Sequence, residues 1–585
     1  MGRGWPAQRR RRGRGRNHRP RNPAQHGRRR SQLGTGKVRA KEHSMAERIE
    51  ADVLVIGAGP TGLTAANLLA DHGMRVALIE KHWGSGDEPR AISATDETLR
   101  VMQQIGIMPR LAPEMLMDTG ARYYGRGGRL LADVRPGNPR LGQPGKSQFD
   151  QPVMEGLLFG AASERAGIEL HFNTEATAIA QHPDGVTVTA VRRGERNRGF
   201  SGVAAGDTGT DHAPAPGAPE TELVINASWV IACDGGRSFV RRELGIGLSG
   251  STQVEKWIVV DLLDVPGDPE PFASFHCNGA RPTVVVPGVH GRRRYEFMLF
   301  EGEDEQEMIA PSSIAELVAP YQDVSRVTVR RAVVYTAHQR IAERYRVGRV
   351  LLAGDAAHLM PPFAGQGLNA GIRDAASAAW RIAAHIHGEG TEALIDDYAA
   401  ERRPHAAEMV KLSKRIGWVV MNTNPIITRI RDAVVIGTRA VPPLNVWLTR
   451  MKFLKQPHYR QGTVVAPPNG ISAAGASLVG RSLPQPMVLD ADHNRVPLDE
   501  MLSDGWSLIE VGPDNQLVFE DIEGALTMAT DSSGIFSPVA GMVLLVRPDR
   551  YVAGVAPAAE RASLIGALAA KITGLSGFAL SVERR

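Results

Sequence analysis

A carboxylate at the tip of a short apolar run, followed by a proline- and glycine-rich loop, is the first arrangement in this sequence that could do chemistry. In Val350-Leu351-Leu352-Ala353-Gly354-Asp355 the apolar residues have the length of a buried strand, and Gly354 permits a close turn. Asp355, acceptor-only when ionised, suits a sugar-like hydroxyl. Pro361 and Pro362 stiffen the chain beyond it, while Gly365, Gly367 and Gly371 clear side chains so that backbone N–H groups can approach a flat ligand. The pattern then becomes helical, so Leu368 and Asn369 fall at a helix N-terminus, whose partial positive charge favours an electron-rich ring. His358, beside the carboxylate, reads as a structural hydrogen-bonding residue.

A second arrangement lies far upstream. Residues 51–81, ADVLVIGAGPTGLTAANLLADHGMRVALIEK, run from an apolar strand into Gly57-x-Gly59-x-x-Gly62, a helix opened by Pro60 and Thr61, and a second strand ending in Glu80-Lys81. This is the dinucleotide-binding strand-helix-strand fingerprint in the context it requires. Gly57 makes the tight turn, Gly59 lets the backbone approach a pyrophosphate, Gly62 allows helix and strand to pack, and Glu80 can accept both ribose hydroxyls. Gly, Pro, Thr and Asn interrupt the tract too often for a membrane span. A third segment, WVIACDGGRSFVRRELGI over 229–246, ends a strand in Asp234-Gly235 ahead of a helix with Ser238, Arg241 and Arg242. Strands that end this way line the carboxyl edge of one parallel sheet, where ligands of open α/β folds bind. Cys233 has no flanking His or Lys and reads as a small buried hydrophobe.

These motifs need a scaffold of about two or three domains, because 585 residues exceed a single core. The net charge of +6 is unevenly placed: residues 1–44 hold 13 Arg, 2 Lys and 1 Glu, so the remainder is acidic. That tail has no apolar run, which excludes a secretory or twin-arginine signal. It is expected to be a disordered tail from an over-extended start, Met45 opening the native chain; a basic arm for nucleic acid or anionic surfaces is the competing reading. Two cysteines, Cys233 and Cys277, point to a reducing cytoplasm without disulfides or a cysteine metal site. Residues 249–340 carry alternating runs such as WIVVDLLDV and YEFMLF, expected as antiparallel strands, and residues 401–462 are helical in pattern. Between Gln181 and Glu222 lies a Gly/Pro/Thr-rich insertion expected as a mobile surface loop.

The three motifs, in this order, resemble the single-component FAD-dependent aromatic hydroxylases, the group of p-hydroxybenzoate and phenol hydroxylases, over residues 51 to 455. Within the group, runs such as PRAISATDETLRVMQQIG, CDGGRSFVRRELG, VYTAHQRIAERYRVGRVLLAGDAAHLMP and MKFLKQPHY are most similar to the 3-(3-hydroxyphenyl)propionate (3-hydroxycinnamate) hydroxylases. The loop departs from that branch, reading Phe363 and Leu368 where a tryptophan and a tyrosine are expected. The resemblance implies FAD as cofactor, bound by Gly57, Gly59, Pro60, Thr61, Gly62, Glu80 and Lys81 on its ADP half. It places Arg90 near the phosphates, Gln151 and Asp355 with Gly354 on the ribityl chain, Asp234 on a shared FAD and nicotinamide segment, and Pro362, Gly365, Gly367, Leu368 and Asn369 around the ring. The implied fold is α/β. A Rossmann-like FAD-binding domain (45–248 and 341–400) is followed by an inserted antiparallel-sheet substrate domain (249–340), a helical segment (401–462) and a small thioredoxin-like C-terminal domain without cysteines (463–585).

The implied activity is hydroxylation of a phenol by a C4a-hydroperoxyflavin, with NADH or NADPH as a transient co-substrate, since no second GxGxxG follows a strand. O2 and a small phenol are the expected partners, with no nucleic acid, membrane or metal, and a homo-oligomer left open. Tyr335, His338, Arg281 and the Arg292–Arg294 run are nominated for the phenol and carboxylate, each with a structural alternative, and no catalytic residue is named. Hydroxylation of a polyketide or other polycyclic phenol is the alternative reading. A flavin-dependent halogenase would need a lysine in a short tryptophan-containing motif, and none is present.

Overall fold

A computed structural model describes residues 46–83, 91–137, 140–194 and 219–575. The basic tail, Arg90 and residues 195–218 of the Gly/Pro/Thr-rich insertion lie outside the described residues.

Val53, Leu54 and Val55 are fully buried, as a strand covered on both faces must be, and this unbroken apolar run is what a parallel sheet selects. The first sheet runs in the order Arg346–Val347, Val350–Leu352, Glu220–Ala232, Glu47–Ile56, Val76–Ile79, Ile168–His171, with a hairpin of Thr174–Gln181 and Val186–Arg193 laid against Glu220–Ala232. Its central pairs are parallel. The helix Pro60–Asp71 packs against this sheet and against the helix Gly367–Ile386.

The second sheet is ordered His358–Leu359, Thr328–Ala342, Leu248–Leu263, Arg293–Leu299, Thr283–Pro287, Phe272–His276, Gly120–Tyr124, Leu130–Val134. Three of its strands, His358–Leu359, Gly120–Tyr124 and Leu130–Val134, lie outside residues 249–340. Gly120–Tyr124 pairs parallel with Phe272–His276, a partner too distant in sequence for local periodicity to announce. One helix runs unbroken over Glu392–Met421, across residue 400, with Pro404 inside it. Beyond it the helices Pro425–Gly437 and Pro442–Thr449 cover the edge strand Leu130–Val134.

Seven strands between Met487 and Pro557 make the third sheet. Every pair in it is antiparallel, a narrower pattern than the thioredoxin-like expectation. Among the described residues no helix is long and apolar enough to cross a membrane.

Candidate active site

Parallel pairing fixes the level of the three motifs. Ile56 is in register with Ile79 on one side and Ala232 on the other, and Ala232 with Leu352. The chain therefore leaves the sheet at Gly57, Glu80, Asp234 and Gly354 along one edge, the carboxyl edge of an open α/β sheet. The fingerprint glycines divide by their surroundings. A Cβ on Gly57 would lie 2.4 Å from the Cys233 carbonyl oxygen, and one on Gly62 1.9 Å from the Gly57 carbonyl oxygen, so both are packing positions. A Cβ on Gly59 would meet nothing within 4 Å, and the same holds at Gly367. Gly59 caps one helix and Gly367 opens another, at first turns whose N–H groups have no intrahelical acceptor, so both places suit an anionic or electron-rich group.

Glu80 turns its carboxylate toward the glycine-rich turn: Ala58 N–H donates to Oε2 at 2.9 Å and His82 N–H to Oε1 at 3.0 Å. Lys81 beside it is exposed. Thr61 is the joint between the first two motifs. Its Oγ1 stands 2.6 Å from where a Cβ of Gly354 would be and 2.3 Å from that of Gly371, so both glycines are needed for the fingerprint helix to approach. Asp234 Oδ2 accepts the Val240 N–H at 3.0 Å, while its buried Oδ1 has no hydrogen-bond partner among the described residues and can accept from a ligand. Arg241 donates to the Ala356 carbonyl at 3.0 Å and the Gly236 carbonyl at 2.9 Å, which ties this segment to the Gly354-Asp355 turn. Burial, reinforced by Asp234, holds the Cys233 thiol well above its ordinary range, in keeping with an unreactive packing residue.

Asp355 is exposed in a run whose neighbours are buried, at the rim of this edge. Beneath it lies Asp374, which the sequence reading missed. Its carboxylate accepts from Gly354 N–H at 3.1 Å and Arg402 Nε at 2.8 Å, with His358 Nε2 at 2.7 Å. Arg402 also donates to the Tyr459 hydroxyl at 2.8 Å. Burial alone would raise the Asp374 pKa, but Arg402 and His358 outweigh it and hold the group below the usual carboxylate value. A buried Asp on the alanine-rich helix face GIRDAASAAW was the signal available.

Gly365 takes a left-handed φ of +60°, and a Cβ there would come 3.3 Å from Ser93 Cβ. Asn369 clamps this loop: its Oδ1 accepts from Thr95 N–H at 2.9 Å and Thr98 Oγ1 at 2.6 Å, and its Nδ2 donates to the Ser93 and Gly365 carbonyls. Toward a ligand, Asn369 therefore offers its backbone N–H. Gln151 is similarly engaged, accepting from Ala91 N–H at 2.6 Å and donating to Glu155 at 2.6 Å. Pro362 is exposed, Leu368 and Pro60 are half-buried.

Phe363 joins the loop to the second sheet. Its ring meets Trp257 edge-on, with centroids 5.4 Å apart, and a Cβ on Gly417 would lie 2.6 Å from it. Tyr123, Cys277, Ile416 and Val420 belong to the same apolar cluster and also line a cavity of about 540 Å3 under the helices. The residues nominated for substrate lie elsewhere. Tyr335 is 39% exposed, His338 bonds Thr252 at 3.0 Å, and Arg281 is paired with Glu303 and stacked on Phe300. Arg292 pairs with Asp150 at 3.3 Å and Arg294 with Asp261 at 2.6 Å. None of them lines the cavity. Arg294 is buried on the face of Arg293–Leu299 opposite Tyr295, Phe297 and Leu299, where alternation predicts exposure, and burial demanded a partner.

The sequence profile of the family described as FAD binding domain matches residues 50–413. The chain is 34% identical over 545 residues to a 3-(3-hydroxy-phenyl)propionate/3-hydroxycinnamic acid hydroxylase of Mycolicibacterium smegmatis (strain ATCC 700084 / mc(2)155), covering 87% of this chain and 91% of that protein. A second hydroxylase of that description, from Burkholderia vietnamiensis (strain G4 / LMG 22486), is 33% identical over 86% of this chain and 94% of its own. Among solved structures, OxyS anhydrotetracycline hydroxylase from Streptomyces rimosus superposes with a TM-score of 0.68 at 25% identity, covering 90% of this chain and 99% of that one. The flavin-dependent monooxygenase PieE, solved with FAD and substrate, gives 0.71 at 21% identity, covering 91% of this chain and 100% of its own, a likeness of fold.

Proposed function

The chain belongs to the FAD-dependent aromatic hydroxylases, and from that premise we propose that it hydroxylates 3-(3-hydroxyphenyl)propionate or 3-hydroxycinnamate beside the existing hydroxyl. One oxygen of O2 enters the ring, giving the 2,3-dihydroxy acid, and the other leaves as water; NAD(P)H supplies the hydride and is released oxidised. Bound FAD supplies the hydride acceptance and the O2 activation that this needs.

One observation carries the reading: the Gly354-Asp355 turn passes the chain from Val350–Leu352 in the first sheet to His358–Leu359 in the second. A group held on the first edge and along the following loop is therefore bounded by the second sheet's apolar wall. Gly59 and the N-terminus of Pro60–Asp71 would hold the diphosphate, Glu80 the ribose, and Asp355 with Gln151 the ribityl hydroxyls. The N–H groups of Gly367, Leu368 and Asn369 would face the ring and stabilise negative charge on it. Phe363 and Trp257 would exclude water from the phenol. With two free thiols, a reducing cytoplasm suits the protein.

The test is NAD(P)H oxidation by the full-length holoenzyme with a panel of phenols, read together with the ring-hydroxylated product. We expect at least tenfold stimulation by 3-(3-hydroxyphenyl)propionate or 3-hydroxycinnamate, with product matching the nucleotide consumed. Stimulation confined to polycyclic phenols would replace this substrate with the polyketide class. No stimulation by any phenol would overturn the reading.

A further inference from the structure

The cavity under the helices is larger than a single-ring phenol with a three-carbon acid requires. Resting on the reading of the chain as a phenol hydroxylase, we propose that it receives the chain of a (3-hydroxyphenyl)alkanoic acid longer than propionate. The carboxylate would be held at a mouth formed by Lys411, Arg415, Lys452 and Lys455.

A volume of about 540 Å3 falls in the range that buries a drug-sized ligand. The walls are apolar, with Leu131 and Ala132 from the edge strand, Met409 and Leu412 from the long helix, and Val435 and Phe453 from the cover. Such walls offer methylenes a favourable transfer and give a carboxylate nothing to bond inside. The cations stand at the rim. Lys411, Arg415, Lys452 and Lys455 are exposed, and none has an ion pair among the described residues. Arg431, which also lines the cavity, is already engaged by Asp432 and the Val419 carbonyl, and Glu408 is the one acidic lining residue. Residues 411–455 hold nine Lys or Arg against a single acidic residue, Asp432, in a body that is otherwise acidic. A local cationic field at an apolar mouth attracts an amphipathic anion.

Length decides the chain. Ile416 and Val420 touch both the cavity and the cluster around Phe363, so a ring lodged against Phe363 and Trp257 sits at that end. Along the helix, Arg415 lies about 7.5 Å and Lys411 about 13.5 Å of axial rise from Val420. The rise to Lys411 exceeds the span of a three-carbon acid, and a longer alkanoate covers it.

The test uses the full-length holoenzyme and a series of ω-(3-hydroxyphenyl)alkanoic acids from propanoic to dodecanoic, each with its methyl ester, followed by NAD(P)H oxidation and product formation. We expect KM to fall by about fourfold per methylene through the middle of the series. In its long members the acid should be preferred to the ester by at least tenfold. Lys411→Glu combined with Arg415→Glu should raise KM for the long acids at least tenfold and abolish the preference over the ester, with flavin content and melting temperature reporting that the variant folds. A KM that stays flat or rises beyond propanoate, or equal treatment of acid and ester, would overturn the inference while leaving the hydroxylase reading standing. If no member stimulates, propanoate included, that reading falls as well.

Discussion

At the scale of single residues, the fingerprint glycines separate binding from folding. Gly62→Ala drives a Cβ to 1.9 Å from the Gly57 carbonyl oxygen, a backbone contact that cannot give way, so the variant should be recovered unfolded or without flavin. Gly59→Ala meets nothing within 4 Å in the protein and should fold with the apoprotein's melting temperature, yet its methyl occupies the space proposed for a diphosphate. We expect FAD affinity to fall at least tenfold, about 1.4 kcal/mol, by flavin titration of the apoprotein. Equal FAD affinity in Gly59→Ala and the parent would remove the diphosphate from that turn. These glycines were legible in the sequence because each does its steric work within a few residues of the others. Asp374 was not, since its partners His358, Gly354 and Arg402 lie 16, 20 and 28 residues away and no local pattern announces them. Asp374→Asn would leave Arg402 buried without its counter-charge, and we expect a loss of about 3–5 kcal/mol in urea unfolding.

At the scale of elements, the helix Asp96–Ile105 carries a stability cost that pH should reveal. Asp96 and Glu97 are both buried in its first turn. Burial, with Glu97 adding to it, pushes the Asp96 carboxyl up to about 7; the Glu97 N–H, Arg373 and Arg140 pull the other way, and Gln456 donates to Oδ2 at 2.9 Å. A folded-state value above the unfolded one means that this carboxyl destabilises the fold only when it must ionise. Its cost is absent below about pH 4, grows as pH rises, and is complete above about 7. Asp96→Asn keeps the shape without the charge. Its melting temperature relative to the parent should therefore rise by about 2 °C between pH 5 and pH 8, by scanning calorimetry. A constant difference across that range would mean that Asp96 does not titrate there. Its burial could not be read from the sequence, because the residues that cover it come from the C-terminal unit: Arg100 pairs with Asp499, and the Tyr551 hydroxyl donates to Glu97 at 3.0 Å. Strand pairing was legible where partners alternate in hairpins and illegible at Gly120–Tyr124, whose parallel neighbour Phe272–His276 is adjacent in the sheet but far along the sequence.

At the scale of the whole molecule, the C-terminal sheet is a structural brace for the helices that carry the loop. A cysteine-free unit with a packing role was readable from the sequence; how deeply it is joined was not, because charged residues rarely announce burial. Glu401 on the long helix accepts from Arg381 at 2.7 Å and from Arg547 at 2.9 Å, all three fully buried, and Arg547 is held in turn by Asp549 at 2.6 Å. Trp380 meets Trp506 edge-on at 5.7 Å, inside an apolar cluster to which the loop helix and the C-terminal unit both contribute. Arg381 and Trp380 lie on the helix whose first turn is proposed to face the flavin ring, so the brace bears on the position of that turn. Removing residues 463–585 would expose Trp380, Ala384 and Leu394 and strip Arg381 of Thr463 and Asp549, leaving it Glu401 and Ser377. We expect the truncated chain to be insoluble or to lose its flavin. The milder Glu401→Gln variant leaves two buried guanidiniums short of a negative charge and should cost about 3–5 kcal/mol, read as a melting temperature lower by about 3–4 °C. A soluble chain ending at residue 462 that retains full flavin content and the parent's melting temperature would show that the sheet is an appendage rather than a brace.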